Sequence, residues 1–194
     1  MRTLHNQRWL TAVALFIGTT LGVASSEHLQ AADGYEAVER DWVTAPPAPK
    51  EQTHEQMMAK SEGCLSCHEG TDAKTMHANP AVKIGCTDCH GGNATEFWRS
   101  GHSGQGYANP AYMASMERAH VLPRYPEAWH YPSSANPKRS YTLLNKESPE
   151  YVRFVNPSDY RVVREACGAC HMEIIVAAER SLMSTVSMFW AAAA

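Results

Sequence analysis

The pattern of hydrophobic and polar positions predicts a secretory signal at the start of the chain. An apolar run of sixteen residues without a charge, Trp9 to Ala24, follows a basic start and precedes small residues at 24–26 and 31–32. This order is typical of an exported protein, so residues 1–32 are predicted to be a signal peptide. A retained membrane anchor is the alternative, although sixteen residues are slightly short for a membrane span.

The next stretch predicts a linker and then a short helix. Residues 33–52 contain the run Pro46-Pro47-Ala48-Pro49, which favours an extended backbone. Thr53, with Gln56 three residues later, forms a capping-box pattern. We therefore expect a short helix that starts after Thr53 and stops at Gly63.

The rest of the chain predicts an irregular middle and a long final helix. Residues 93–160 are rich in aromatic residues and proline, with a short helix at 112–120 and a short strand or wrapped apolar segment at 150–155. From Arg161 a helix is expected to run to the end, because apolar residues recur at steps of three or four. These residues are Ile175, Ala178, Leu182, Val186 and Phe189.

The chain stops inside that apolar stripe, without a capping residue. We expect it to be the front part of a longer protein, or else a partner protein to cover the stripe.

The composition raises the question of what forms the core of the irregular middle of the chain. The 194 residues are enough for one domain, and the formal net charge of −3 argues against a nucleic-acid binder. Seven of the eleven prolines lie between Pro110 and Pro157, which predicts little regular structure there. A long structureless middle counts against a compact domain unless large apolar cofactors serve as its core.

All six cysteines fall in three copies of the pattern C-x-x-C-H. Two intervening residues let both thiols add to the vinyl groups of one haem, and the next residue, a histidine, then binds the iron. The pattern predicts three covalent haem c groups. The attaching cysteines are Cys64, Cys67, Cys86, Cys89, Cys167 and Cys170, and the proximal ligands are His68, His90 and His171.

Two other kinds of site fit parts of this pattern. Cys64, Cys67, Cys86 and Cys89 have the spacing of a four-thiolate zinc site. The histidine after each pair, the third pair without a partner and the signal of export count against zinc. A thiol–disulfide redox pair at Cys167 and Cys170 would need βαβ surroundings, which the sequence does not predict.

The ligand on the opposite side of each iron decides whether a substrate can reach it. The chain has more histidines than the three motifs require. This surplus favours three irons with six ligands each, which are closed to substrate. The first choice for these distal ligands is His54, His77 and His120, with His102 in reserve and His130 left open.

The chain resembles the multihaem c-type cytochromes of bacteria that respire on external or periplasmic acceptors. The resemblance covers roughly residues 54–190 and rests on the three C-x-x-C-H motifs, with further strings that suggest a subfamily. These are Cys89-His90-Gly91-Gly92, Ala119-His120-Val121, Ser134-Ala135-Asn136-Pro137 and Val155-Asn156-Pro157-Ser158-Asp159. The resemblance implies closely stacked haems, usually with histidine on both sides of each iron. It supports His77 and His120 as distal ligands. Many members carry more than three motifs.

These observations predict a mainly α fold with extensive irregular loops, in which haems form the core of a trihaem domain over residues 53–194. The expected function is electron transfer rather than catalysis, in the periplasm or at the cell surface. Expected partners are redox proteins and other haem proteins or further haem domains, and a homo-oligomer or filament is left open. The alternative is a multihaem reductase of a small nitrogen or sulfur compound, which would keep one iron open to substrate.

Overall fold

The structure is a computed structural model that describes residues 34–68, 76–98, 109–130, 137–139 and 141–185. Two compact units are distinguished, Met1–Glu36 and Ala37–Ala194, and every helix described belongs to the second. The predicted signal at 1–32, the candidate ligand His102 and the end of the predicted last helix at 186–194 lie outside the described residues.

The described part of the chain is mainly α-helical, as predicted from the sequence. It contains no strand, and its one isolated β-bridge joins Trp129 and Pro137. Two 3₁₀ turns span Pro126–Ala128 and Tyr141–Lys146. The helices are α1 His54–Ala59, α2 Glu62–His68, α3 Cys86–His90, α4 Pro110–Ala119, α5 Pro149–Val155, α6 Val163–Glu179 and α7 Leu182–Thr185.

Helix α1 begins at the predicted capping box. The backbone N–H of Gln56 donates to Thr53 Oγ1 at 3.1 Å, and the Thr53 N–H donates to Gln56 Oε1 at 2.8 Å. The predicted stop at Gly63 is wrong, because α1 already ends at Ala59 and α2 runs through Gly63. Gly63 serves close packing: a Cβ there would lie 2.2 Å from the carbonyl oxygen of Ala94.

Helix α4 confirms the short helix predicted before Pro123, although it starts two residues earlier. The Asn109 side chain accepts hydrogen bonds from the N–H groups of Ala111 and Tyr112, at 2.9 and 3.4 Å. Proline follows at the first helical position, where its missing N–H costs nothing. The helix ends at Ala119, and the next residue, His120, has an extended backbone with φ −95° and ψ 154°.

Helix α5 replaces the short strand or wrapped segment expected at 150–155. Ser148 caps it, because its Oγ accepts the N–H of Tyr151 at 3.1 Å, and Pro149 occupies the first turn. Six residues of mixed pattern cannot separate strand from helix, whereas this Ser-Pro start favours a helix. The helix buries Tyr151, Val152 and Arg153.

Helix α6 carries the third motif and is interrupted at its histidine. His171 has φ −117° and ψ 17°, which are not helical values. The helix predicted to run unbroken from Arg161 also breaks at Arg180, before α7. Ser184 Oγ donates to the Glu179 carbonyl at 2.9 Å, a side-chain bond that competes with helical pairing. The apolar stripe divides there, since Ile175 is buried and Leu182 is 66% exposed.

A small aromatic cluster contains the two largest fully buried side chains of the described residues. Trp129 and Tyr151 are fully buried, with ring centroids 5.5 Å apart. Glu147 supports the cluster by accepting Trp129 Nε1–H at 2.9 Å and the Arg124 N–H at 2.5 Å. Among the described helices, none has the length and apolar character required to span a bilayer.

Residues 38–48, within the stretch predicted to be a linker, lack helix and strand and are hydrogen-bonded to the rest of their unit. Trp42 Nε1 donates to the Leu122 carbonyl at 3.0 Å, and Arg40 Nε donates to the Pro123 carbonyl at 2.7 Å. Further along, the Ala48 N–H donates to the Glu165 carbonyl at 2.8 Å. This extended segment is therefore part of the folded unit.

Candidate functional site

Each C-x-x-C-H motif lies on a helix. The first ends α2, the second makes up the whole of α3, and the third lies within α6. Positions i, i+3 and i+4 share one face of a regular helix, an arrangement that places two thiols and an imidazole on the same side. All six cysteines are free, five of them half-buried and Cys170 exposed.

Helix α3 lies between the other two motifs. The Cys64 and Cys86 thiols are neighbours, and their interaction raises the pKa of Cys64 and lowers that of Cys86. Burial, followed by the nearby Cys167 thiol, raises the pKa of Cys89 to about 11. Helix α3 also contacts both α5 and α6. The second motif therefore has thiols of the first and third motifs as neighbours.

The ring of His68 faces that of His120. Their centroids lie 6.1 Å apart, with 36° between the ring planes. Burial, and then the neighbouring His68, lowers the pKa of His120 to about 4. His120 is therefore neutral at physiological pH, which is the form of imidazole that binds metals.

The ring of His77 faces that of His171 in a similar arrangement. Their centroids lie 6.0 Å apart, with 31° between the planes. His77 has φ +59°, a left-handed conformation that is uncommon in residues other than glycine. Both members of this pair thus depart from regular backbone geometry.

These spacings fit an iron held between two imidazoles. A metal ion bound at about 2 Å by one nitrogen of each ring places the ring centroids roughly 6 Å apart. The donors are also of the right kind, since each pair joins a histidine of a C-x-x-C-H motif to one from elsewhere in the chain. The residues present therefore fit the haem that the motifs predict.

His90 has a different partner. Its Nδ1 lies 2.7 Å from the carbonyl oxygen of Phe154. Since a carbonyl can only accept, Nδ1 carries the proton and Nε2 presents its lone pair. Metal-binding histidines commonly donate the N–H of their other ring nitrogen to a carbonyl in this way. Within the described ranges, no histidine ring is recorded against His90.

The two remaining candidate ligands within the described residues, His54 and His130, are not paired with a motif histidine. His54 is exposed on α1, and His130 is exposed after Trp129. Of the three first-choice distal ligands, the structure places His77 and His120, but not His54, against a motif histidine.

Asp88, inside the second motif, is buried and fully paired. Its carboxylate accepts hydrogen bonds from Lys60 Nζ and Gln52 Nε2, each at 2.6 Å, and from the Gly85 N–H at 2.8 Å. Burial alone would raise the pKa of Asp88, but these donors outweigh burial and hold it below its usual value. The carboxylate thus stays ionised and ties α3 to α1.

Arg153 anchors the second motif from the other side. Its buried guanidinium donates to the carbonyls of Cys89 and Asp88 at 3.1 and 2.6 Å. It also donates to the carbonyls of Ala45 and Pro46 at 2.8 and 2.9 Å. Sequence reasoning missed this residue, because an arginine that binds main-chain carbonyls leaves no pattern in the sequence.

The segment 94–98 is hydrogen-bonded both to α2, which ends at His68, and to α4, which His120 follows. On the α2 side, the Gly63 N–H donates to the Ala94 carbonyl at 3.0 Å. On the α4 side, the Glu96 carboxylate accepts two hydrogen bonds from Arg118, at 2.6 and 3.1 Å, and one from Ser115 at 2.8 Å. This segment fixes the spacing between the two imidazoles.

The glycine pair after the second motif ends α3. Gly91 and Gly92 have φ +69° and +78°. A Cβ at Gly92 would lie 2.8 Å from the Ala119 carbonyl and 3.1 Å from the Phe154 ring. The absence of a side chain at Gly92 thus allows α4 and α5 to approach closely.

The described residues contain no group of three or more histidine, cysteine or acidic side chains arranged to hold a metal ion. The four thiols of the zinc alternative, all of them described, are therefore not gathered around one point. No protein-family model matches the chain, and no similar protein is found among curated proteins or solved structures.

Proposed function

We propose that this chain is an exported electron-transfer protein that carries three covalent c-type haems. The observation that supports it best is the pairing of two motif histidines with histidines from distant parts of the chain, at ring separations of 6.1 and 6.0 Å. Haem iron, when bound, alternates between ferrous and ferric states and so carries single electrons.

The pairs suggest which residues serve each haem. Cys64 and Cys67 would attach the first haem, with His68 and His120 as axial ligands. The third haem would be attached by Cys167 and Cys170, with His171 and His77 as axial ligands. The remaining set, Cys86 and Cys89 with His90, has no assigned distal ligand, and His54, His102 and His130 stay candidates.

Two features favour an electron carrier over an enzyme. Protein ligands on both sides of an iron leave no coordination position for substrate, and both histidine pairs have that form. Thiols of successive motifs are also neighbours, Cys64 with Cys86 and Cys89 with Cys167, an arrangement that suits a relay through the second site.

The protein's own residues prepare these ligands for iron. Burial keeps His120 neutral, and the Phe154 carbonyl fixes the tautomer of His90. Few large hydrophobic side chains are buried among the described residues, in keeping with haems as a major part of the core. Redox proteins in the periplasm or at the cell surface, or further haem domains, would exchange electrons with it.

The test is to express the full chain in a host that attaches c-type haem and to titrate it spectroscopically. We expect low-spin c-type spectra, reversible one-electron steps and no change with carbon monoxide at the His68–His120 and His77–His171 sites. Ready binding of carbon monoxide or nitrite at one iron, with turnover of nitrite, would instead favour the multihaem reductase. A protein without haem would end both proposals.

A further inference from the structure

We propose, on the basis of the function proposed above, that Phe154 is a positioning residue shared by two haem sites. Its main-chain carbonyl orients His90 of the second motif, and its ring packs against His120, which pairs with the first motif. One residue of α5 therefore sets ligand geometry at two irons.

The carbonyl is available because of its place in the helix. Phe154 is the penultimate residue of α5, and carbonyls of the last turn lack intrahelical partners. The free Phe154 oxygen accepts Nδ1–H of His90 at 2.7 Å. Such a bond fixes the plane of the imidazole and makes its other nitrogen a stronger donor to metal.

The phenyl ring of Phe154 packs against the ring of His120. Its centroid lies 5.0 Å from that of His120, with 46° between the planes, and 6.4 Å from that of His90. His120 caps α4 in an extended conformation, so its ring direction depends on its neighbours rather than on helical geometry. Gly92 keeps this contact open, because a Cβ there would crowd the phenyl ring at 3.1 Å.

The position of Phe154 is itself fixed. The preceding residue, Arg153, donates to the carbonyls of Asp88 and Cys89 within the second motif. Helix α5 cannot shift without disturbing α3. Phe154 is therefore held in one place relative to both His90 and His120.

Two pairs of variants separate the ring from the carbonyl. Phe154→Ala removes the ring, and Phe154→Leu keeps apolar volume without its flat face. Val155→Pro disfavours helical geometry at Phe154 and so displaces its carbonyl, whereas Val155→Ala does not. Tyr160→Ala, which removes an exposed aromatic ring, is a further control.

The readouts are electron paramagnetic resonance of the oxidised haems and potentiometric titration, with the His120-ligated haem identified beforehand by His120→Ala. Phe154→Ala should shift and broaden the signal of the His120-ligated haem, and Phe154→Leu should do so less. Val155→Pro should raise the midpoint potential of the His90-ligated haem. Val155→Ala and Tyr160→Ala should resemble the wild type.

The possible results are distinguishable. A wild type with three haems, together with Phe154→Ala and Phe154→Leu variants whose signals match it, would overturn the inference and leave the proposed function standing. If Val155→Pro does not fold, the two Phe154 variants still decide the ring contact. A wild type without haem would overturn the proposed function, and the inference with it.

Discussion

The rings of His77 and His171 face each other at 6.0 Å, and neither residue has regular backbone geometry. His77 has φ +59°, and His171 interrupts α6. The left-handed conformation of His77 costs of order 1–3 kcal/mol and persists where surrounding structure holds it, commonly at functional sites. That His77 carries this cost supports a ring placed for ligation rather than for packing.

His77→Ala should therefore open one iron of the three. We expect a high-spin component in the visible spectrum, a more positive midpoint potential for that haem and new binding of carbon monoxide. Val82→Ala, at an exposed residue five positions further along the same connector, is the control. If the His77→Ala spectrum is that of the wild type, His77 is not a ligand.

Gly63→Ala should destabilise the fold by about 2 kcal/mol or more, since overpacking against rigid backbone cannot relax. The new Cβ would lie 2.2 Å from the Ala94 carbonyl and 2.3 Å from that of Glu96. At Gly168 a Cβ would meet only the flexible end of Met172 at 2.6 Å, so Gly168→Ala should be nearly neutral. Urea unfolding of both variants checks this, and equal midpoints would contradict it.

Arg153→Lys should cost about 3 kcal/mol of stability, although it keeps the charge. Lysine cannot reproduce the fork that donates to four main-chain carbonyls, and each buried carbonyl left unpaired costs about 1–3 kcal/mol. Arg164→Lys, at a residue with an exposed ion pair to Glu179, is the control and should change stability little. Similar denaturation curves for the two variants would mean that the Arg153 contacts contribute little.

Asp88 should make the free energy of unfolding depend on pH in the acidic range. Its folded pKa lies below the unfolded value of about 3.9. Its stabilisation is thus fully present above that value and is lost as pH falls through the folded pKa. Asp88→Asn should cost about 1–3 kcal/mol at neutral pH, and the difference from wild type should shrink below about pH 4. Unfolding midpoints between pH 7 and 3 test this, with the exposed Glu51→Gln as control; a constant difference would refute it.

The sequence predicted the helical class and the helix before His120, because a capping residue and a nearby proline are local signals. Helix α5 was missed although Ser148 and Pro149 form an equally local signal. The break at His171 has no such signal, since neither His171 nor the following Met172 is a residue that commonly ends a helix.

The partners within the site were harder to predict than its members. His77 and His120 were selected as ligands from their positions near motifs and helix ends, but their pairing with His171 and His68 depends on contacts between distant segments. Phe154 could not be found from sequence, because any residue supplies a carbonyl and only the fold decides which one reaches His90.

The most direct test is the intact mass of the secreted protein together with its visible spectrum. We predict a mass that includes three haems, no free thiol among the six cysteines and a low-spin c-type spectrum. A correctly exported protein that is colourless, with its thiols free or bound to another metal, would contradict the account.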